Sequence, residues 1–361
     1  MSASSLNYGH NHPAMTESII QYLSTGGIIN SLDMHTEARS RFIQEFQAHI
    51  LEPRGMQYKL QFTGPTGTDC VESALRLARI CTSRSGILHF DGSYHGMTSG
   101  AASVSSVVKS KRGYSGNGRN TVLPRDNADA AYATAKSVID SDLPPAGIIV
   151  ETVQCEGGVY QLDPKLLMTL RELCVQRGVL FIVDDIQAGC GRCGEFFSFP
   201  PDLDPDIICL SKSLSGVGLP LSLALIKPVH DEWDAGEHTG TFRGNNLAMV
   251  SATEASRLWS QNYFVTGLQK VIAWLNDLGE YILASRHPNV IRWNQMGCLA
   301  GLQLAGDTAA KMFQRNAFMN GLILETCGRH GDVVKFLPAL TMSSSEMSVA
   351  RQRILSTIDI I

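Results

Sequence analysis

Through the middle of the chain, short apolar runs alternate with stretches of helical periodicity. The runs at 86–90, 147–151, 179–184, 207–210 and 222–227 are too short for helices and rich in Ile, Val and Leu. They predict strands buried on both faces. Between them, 69–80 places Val71, Ala74, Leu75 and Ala78 at i, i+3, i+4 and i+7, one face of an amphipathic helix. A second helix carries its own boundary signals: Asp163 as N-cap, Pro164 at the first position and Gly178 as the stop. Strand, helix, strand in repetition predicts an α/β fold with a mainly parallel central sheet flanked by helices.

Beyond about residue 255 the pattern changes. A long helical stretch is expected over 247–282, then a strand pair in "VIRWNQMGCLAGLQL", another helix, and "DVVKFLPALTM". The expected organisation is a large α/β domain over 28–255 and a smaller α+β domain made of 1–27 and 256–361. Serine and glycine crowd 91–118, which reads as a loop over a functional face.

Composition narrows the function classes. With 361 residues, 44% hydrophobic and 18% charged, the chain has enough apolar surface for a substantial core. A net charge of -4 without a basic run argues against nucleic acid. No apolar run approaches the ~18 residues of a membrane span. The start "MSASSLNYGHNHP" lacks the features of a signal peptide, so a cytoplasmic location is expected. Nine cysteines are scattered singly except for Cys190 and Cys193, and no second pair completes a tetrahedral metal site. Reduced thiols and no metal are expected.

The candidate chemistry starts at Lys212, the one charged residue between positions 207 and 226. It is either a surface lysine on a Gly/Ser loop or a desolvated amine able to attack a carbonyl. "GPTGT" ahead of the 69–80 helix is either a capping turn or an anion site, with Thr66, Gly67 and Thr68 as donors. Asp184 ends a buried strand, where open α/β sheets bind ligands; the alternative is a capping or loop carboxylate. Tyr94 and His95 follow another strand, and Glu151 and Glu156 follow a third. "GEHTGTFRGNN" adds Thr241 and Arg243 on a glycine-rich loop. Gly189, Gly191 and Gly194 spell G-x-G-x-x-G, but the "EFFSFPPDLDP" that follows does not open a helix, as a dinucleotide fingerprint requires. Together the other features fit one ligand, pyridoxal 5'-phosphate: a phosphate, a flat ring, a ring nitrogen for Asp184 and an aldehyde for Lys212.

With those residues in view, the chain resembles the class III, fold-type I aminotransferases. "YGHNHP", "GPTGTDCVESALRLAR", "YHG", "VETVQCEGG", "IVDDIQAGCGRCG", "LSKSLSGVGLP" and "GTFRGNN" occur in family order, and "VVKFLPALT" agrees near the end. Within the family they look most like the diaminobutyrate–2-oxoglutarate branch. The resemblance implies that Lys212 forms the Schiff base and shuttles the proton, and that Asp184 holds the ring nitrogen. It implies that Ile186 and Tyr94 flank the ring, with His95 beside them, and that Gln187 reaches the ring hydroxyl. Thr66, Gly67 and Thr68 cradle the phosphate, with Thr241 reaching across from the second subunit of a homodimer. Glu151 and Glu156 lie toward the substrate, and Arg243 is a candidate for its carboxylate. Ser211, Ser213, Gly216 and Gly218 leave room for the ring and phosphate. The implied reaction is ping-pong: L-glutamate donates its amino group, and L-aspartate 4-semialdehyde is aminated to L-2,4-diaminobutyrate. Relative to the family pattern the chain begins close to "LNYGHNHP", 113–127 is short, and Cys155 replaces a glycine. Another ω-aminotransferase, a mutase or decarboxylase using the same cofactor, and a non-catalytic paralogue are the competing expectations.

Overall fold

The structure, a computed structural model, describes residues 2–107 and 119–358. Its helices are α1 (Pro13–Ser24), α2 (Glu37–Phe46), α3 (Gly67–Thr82), α4 (Ser99–Ser103), α5 (Ala128–Ile139), α6 (Pro164–Arg177), α7 (Asn246–Leu258), α8 (Asn262–Ala284), α9 (Asp307–Met319) and α10 (Ser344–Ile358). The strands are β1 (Lys59–Phe62), β2 (Ile87–Phe90), β3 (Thr121–Leu123), β4 (Gly147–Val150), β5 (Val153–Gln154), β6 (Tyr160–Gln161), β7 (Leu180–Asp184), β8 (Ile207–Leu210), β9 (Leu223–Ile226), β10 (Val290–Met296), β11 (Leu299–Leu304), β12 (Glu325–Cys327) and β13 (Val333–Phe336).

Seven strands form the central sheet in the order β1-β9-β8-β7-β4-β2-β3. The pairs from β8 through β3 are parallel, while β9 runs antiparallel to both of its neighbours. Every residue of β2, β4, β7, β8 and β9 is buried, which explains their uninterrupted apolar runs. Successive side chains leave on opposite faces. Ile87, Ile149, Ile182 and Ile207 meet Val71, Ala74, Leu75 and Ala78 of α3 on one face, the stripe its sequence spacing predicts. Leu88, Ile148, Phe181 and Ile208 meet Ala131 and Ala135 of α5 and Leu166 and Leu170 of α6 on the other. Helix α6 has the predicted ends: Asp163 accepts from the Lys165 N–H at 2.9 Å, and Gly178 adopts a left-handed φ of 59°.

The second sheet, β10-β11-β13-β12, is antiparallel throughout. Leu275 and Leu278 of α8, Phe313 of α9 and Ile354 of α10 pack with Leu302, Val334 and Phe336 of this sheet.

Several expectations change. The helical stretch expected over 247–282 is two helices. The chain turns at Trp259–Gln261, between the end of α7 at Leu258 and the start of α8 at Asn262, and Trp259 packs edge-on to Phe196 and Phe264. The compositional change at 255 falls inside α7, which continues to Leu258. Strands β1 and β3 and helices α2, α5 and α10 were not anticipated. In 91–118 the described part holds α4 inside a loop; 108–118, and with it part of the short 113–127 stretch, lies outside the described residues. After the G-x-G-x-x-G glycines the backbone runs in turns and bends through Ser198, so no helix opens there.

Candidate active site

The parallel strands bring their C-terminal ends to one edge of the sheet, the usual place for a ligand in an open α/β fold. There β2 leads into Tyr94 and His95, β4 into Glu151, β7 ends on Asp184, and β8 leads into Lys212. Asp184 is 5% exposed. Its Oδ2 accepts from His95 Nδ1 at 2.7 Å and its Oδ1 from the Ile186 N–H at 3.2 Å. Because a carboxylate only accepts here, His95 must carry its proton on Nδ1. The buried Nε2 of His95 has no hydrogen-bond partner among the described residues. The adjacent Asp185 takes a different environment: it accepts from the Ser198 N–H at 3.2 Å, and burial pushes its carboxyl up to about 7.

Lys212 opens a single 3-10 turn after β8 with φ of +50°, a left-handed conformation uncommon outside glycine. Burial lowers its affinity for a proton. The groups Cys155, Glu156 and Asp184 act in the opposite direction, and the nearby charge of Lys335 adds to the drop. Glu151 accepts from the Tyr94 N–H at 2.8 Å; burial and the charge of Asp184 hold its carboxyl well above the usual range.

Near these lies an ion pair. The Lys335 ammonium, 1% exposed on β13, bonds Glu156 Oε1 and lies 3.5 Å from Glu325 Oε2. Gln187 Nε2 also donates to Glu156 Oε1, at 3.1 Å. Burial disfavours the Glu156 carboxylate, but Lys335 and Gln187 more than reverse this and hold it below the usual range. Burial likewise opposes the Lys335 charge, and Glu156 restores it to above an ordinary lysine.

The other expected residues fall into three groups. Gly67 is next to the site: a Cβ there would sit 3.1 Å from Ile186 and 3.6 Å from Ser211. The hydroxyl of Thr66 donates to Asp69 Oδ2 at 2.7 Å, and that of Thr68 is hydrogen-bonded to the Thr98 hydroxyl at 2.7 Å. Thr241 shares a cleft with Gly64, Pro65 and Asp69 at the start of α3, and Arg243 lines another beside β1. The Thr241 carbonyl accepts from Asn30 Nδ2 at 3.0 Å, and the Arg243 guanidinium is held by Asp33 and the His238 carbonyl. Gly216 and Gly218 make room for the N-terminal segment instead of a ring. A Cβ would meet Met15 Sδ at 2.6 Å or Leu6 Cδ2 at 2.9 Å. Lys335 escaped the sequence reading, although a single lysine inside "VVKF" is the same signal that marked Lys212.

A family model for aminotransferase class-III matches residues 1–358. The chain belongs to the class III aminotransferases. Diaminobutyrate–2-oxoglutarate transaminase from Sporosarcina pasteurii is 42% identical over 357 residues, spanning 96% of this chain and 84% of its own length. The protein of that name from Bordetella parapertussis is 43% identical over 358 residues, with 94% and 81% covered. Among solved structures, the ornithine aminotransferase of Toxoplasma gondii matches with a TM-score of 0.84 at 25% identity, covering 99% of this chain and 84% of that one. Lysine aminotransferase from M. tuberculosis reaches 0.87 at 20% identity, covering 99% and 89%, a likeness of fold.

This class III aminotransferase works with pyridoxal 5'-phosphate on small-molecule substrates. The residues present fit that cofactor. Asp184 offers a buried carboxylate, and Lys212 a desolvated amine. The start of α3 supplies the N–H groups of Gly67 and Thr68, which have no partner within a helix and suit a phosphate. A side chain at Gly67 would press on Ile186, 3.1 Å from its Cβ, so the glycine keeps this edge of the site clear.

Proposed function

We propose that this aminotransferase moves the amino group of L-glutamate to L-aspartate 4-semialdehyde, giving 2-oxoglutarate and L-2,4-diaminobutyrate. The observation that carries this reading is the Glu156–Lys335 pair near Lys212. The end of diaminobutyrate remote from the reacting amine is an ammonium carboxylate, and a carboxylate beside an ammonium complements it charge for charge. The named relatives at 42% and 43% identity favour the same substrates.

Bound pyridoxal phosphate supplies the carbonyl that takes up the amine and a ring that withdraws electrons from the substrate carbon. The chain supplies the rest. Asp184, oriented by His95, would hold the ring nitrogen, Ile186 and Tyr94 would flank the ring, and Gln187 would reach its hydroxyl. Thr66, Gly67 and Thr68 would take the phosphate. The Lys212 Nζ, its proton loosened by burial, removes the proton from the substrate carbon next to the amine. Burial and the charge of Asp184 raise the Glu151 carboxyl well above the usual range, which disfavours a second anion beside that carbon. The enzyme is a cytoplasmic homodimer in which Thr241 of a second copy completes the phosphate site. Ile28, Ile29, Leu32, Met34 and Phe242, all exposed around that loop, supply an apolar face for it. A large domain over 28–255 and a small one from 1–27 and 256–361 enclose the substrate.

Absorbance of the cofactor-loaded protein, followed through sequential addition of glutamate and the semialdehyde with mass detection of the product, tests this. Loss of the cofactor band with glutamate but no diaminobutyrate on adding the semialdehyde rejects the acceptor. No spectral response to glutamate rejects the donor.

A further inference from the structure

Arg192 is fully buried and, among the described residues, pairs with no carboxylate. Its Nη1 donates to the carbonyls of Cys298 at 2.9 Å and Pro338 at 2.6 Å, and its Nη2 to Asn7 Oδ1 at 2.5 Å. An uncompensated buried cation is expensive to keep, so what it holds in place is informative. Asn7 is itself fully buried and uses every polar atom. Its Nδ2 donates to the Cys190 carbonyl at 2.9 Å, its N–H to Ser213 Oγ at 2.8 Å, and its carbonyl accepts from the Leu340 N–H at 2.7 Å. Ser213 Oγ in turn donates to the Ser4 carbonyl at 2.5 Å. Gln187 Nε2 donates to the Ala3 carbonyl at 3.2 Å. Ala3 and Ser4 hold left-handed φ values of 49° and 68°, which persist in non-glycine residues only where the surroundings impose them.

These bonds join three parts of the site through one short segment. Ser213 is the residue after Lys212. Gln187 and Cys190 belong to the turn that follows Asp184. Pro338 and Leu340 follow the strand that carries Lys335. The close packing of Gly216 on Met15 and of Gly218 on Leu6 seats the N-terminal residues against the lysine loop.

We propose that residues 3–7 brace the active site, with Asn7 and Ser213 as positioning residues that hold the Lys212 amine in its buried, left-handed turn and fix it relative to Lys335. The proposal rests on the reading of Lys212 as the amine that meets the cofactor. Neither residue is assigned contact with substrate; both act through Lys212.

The test compares the full-length wild type with Asn7→Ala and Ser213→Ala. The first readout is the pH dependence of reductive trapping of Lys212 by pyridoxal phosphate and cyanoborohydride, followed by the mass of the Lys212 peptide and requiring no amino acid. The others are kcat and KM for glutamate, and the Tm of the cofactor-free proteins. A loosened turn lets water reach the amine. The trapping midpoint is therefore expected to rise toward that of an ordinary lysine, about 10.4, with kcat falling ~10- to 100-fold and KM within threefold of wild type. An unchanged midpoint in Ser213→Ala overturns the brace even if kcat falls, because a purely structural loss does not move it selectively. Should Asn7→Ala fail to fold, Ser213→Ala, which removes one hydroxyl, carries the comparison alone. If Lys212 is not trapped in the wild type, the functional reading fails first. Trapping in the wild type with identical midpoints in both variants defeats the brace and leaves that reading standing.

Discussion

Removing one partner of the Glu156–Lys335 pair should cost different amounts according to which charge is left behind. In Glu156→Gln the ammonium of Lys335 remains, 1% exposed, with Glu325 at 3.5 Å as its remaining close carboxylate. Stranding one member of a buried pair costs about 3–5 kcal/mol, and the retained attraction of Glu325 places this case near 3. In Lys335→Met the carboxylate of Glu156 remains instead, 28% exposed and still bonded to Gln187. Water can reach it, and methionine fills the vacated volume, so the expected cost is about 1 kcal/mol. At roughly 2 cal/mol/K of unfolding entropy per residue, the two losses correspond to about 4 °C and 1 °C in Tm. The double variant should recover most of the Glu156→Gln loss, since no unpaired buried charge is then left. Chemical denaturation of the four proteins without cofactor measures the cycle. Equal losses in the two single variants, or a double variant less stable than Glu156→Gln, would refute the reasoning. The sign with pH follows from the lowered Glu156 carboxyl: the pair's contribution is complete above the ordinary glutamate range and is lost as pH falls through the depressed folded value.

Gly67→Ala, whose Cβ would come 3.1 Å from Ile186 and 3.6 Å from Ser211, should weaken cofactor binding by ~10-fold; titration of pyridoxal phosphate by absorbance decides it. Asp206→Ala should lower Tm by about 4 °C without altering the cofactor spectrum. It removes the bidentate partner of the buried Arg171, at 2.9 and 3.0 Å, at the opposite end of β8 from Lys212. Burial raises the Asp206 carboxyl, but His230, the Phe181 N–H, Arg171 and Lys227 together bring it below the usual range. Its stabilisation is therefore present above the ordinary aspartate value and disappears as pH falls through the folded one, which a Tm series in acid should show. Phe242→Asp should shift the species seen by sedimentation from dimer to monomer and reduce cofactor affinity; an unchanged dimer would remove Thr241 from the phosphate site.

The central sheet was legible because its strands are buried on both faces and spell continuous apolar runs, and α3 and α6 because their stripe and caps are local. The antiparallel entry of β9 was not legible: "SLALIK" reads the same in either direction. Strand β1 stayed hidden because "KLQF" is half exposed at the sheet edge. In the site, Lys212 and Asp184 stood out as charges among apolar neighbours. Between the adjacent Asp184 and Asp185 the alternation along β7 made the choice, placing one beside His95 and the other beside Ser198. Lys335 carried the same signal in "VVKF" and went unread, since its partner lies 179 residues away. Asn7 and Arg192 gave no local sign at all; their importance comes from contacts between segments 185 residues apart.

The reversal of β9 also bears on how the site is held together. Ser211 bonds the Leu221 carbonyl at 3.0 Å and Ser222 at 2.7 Å, so the loop bearing Lys212 is closed by residues 10 and 11 positions away. The bond from Lys335 to Glu156 closes a loop of 179 residues. Each doubling of loop length adds about 0.6 kcal/mol of closure entropy, so the longer closure is disfavoured by about 2 kcal/mol relative to the hairpin. The turn that bears Lys212 is thus closed locally, whereas the contact that braces it, Asn7 to Ser213 across 206 residues, and the pairing of Lys335 with Glu156 across 179 both need distant segments to meet. Loosening the N-terminal segment and loosening the small sheet should therefore disturb the lysine and its charged neighbours separately.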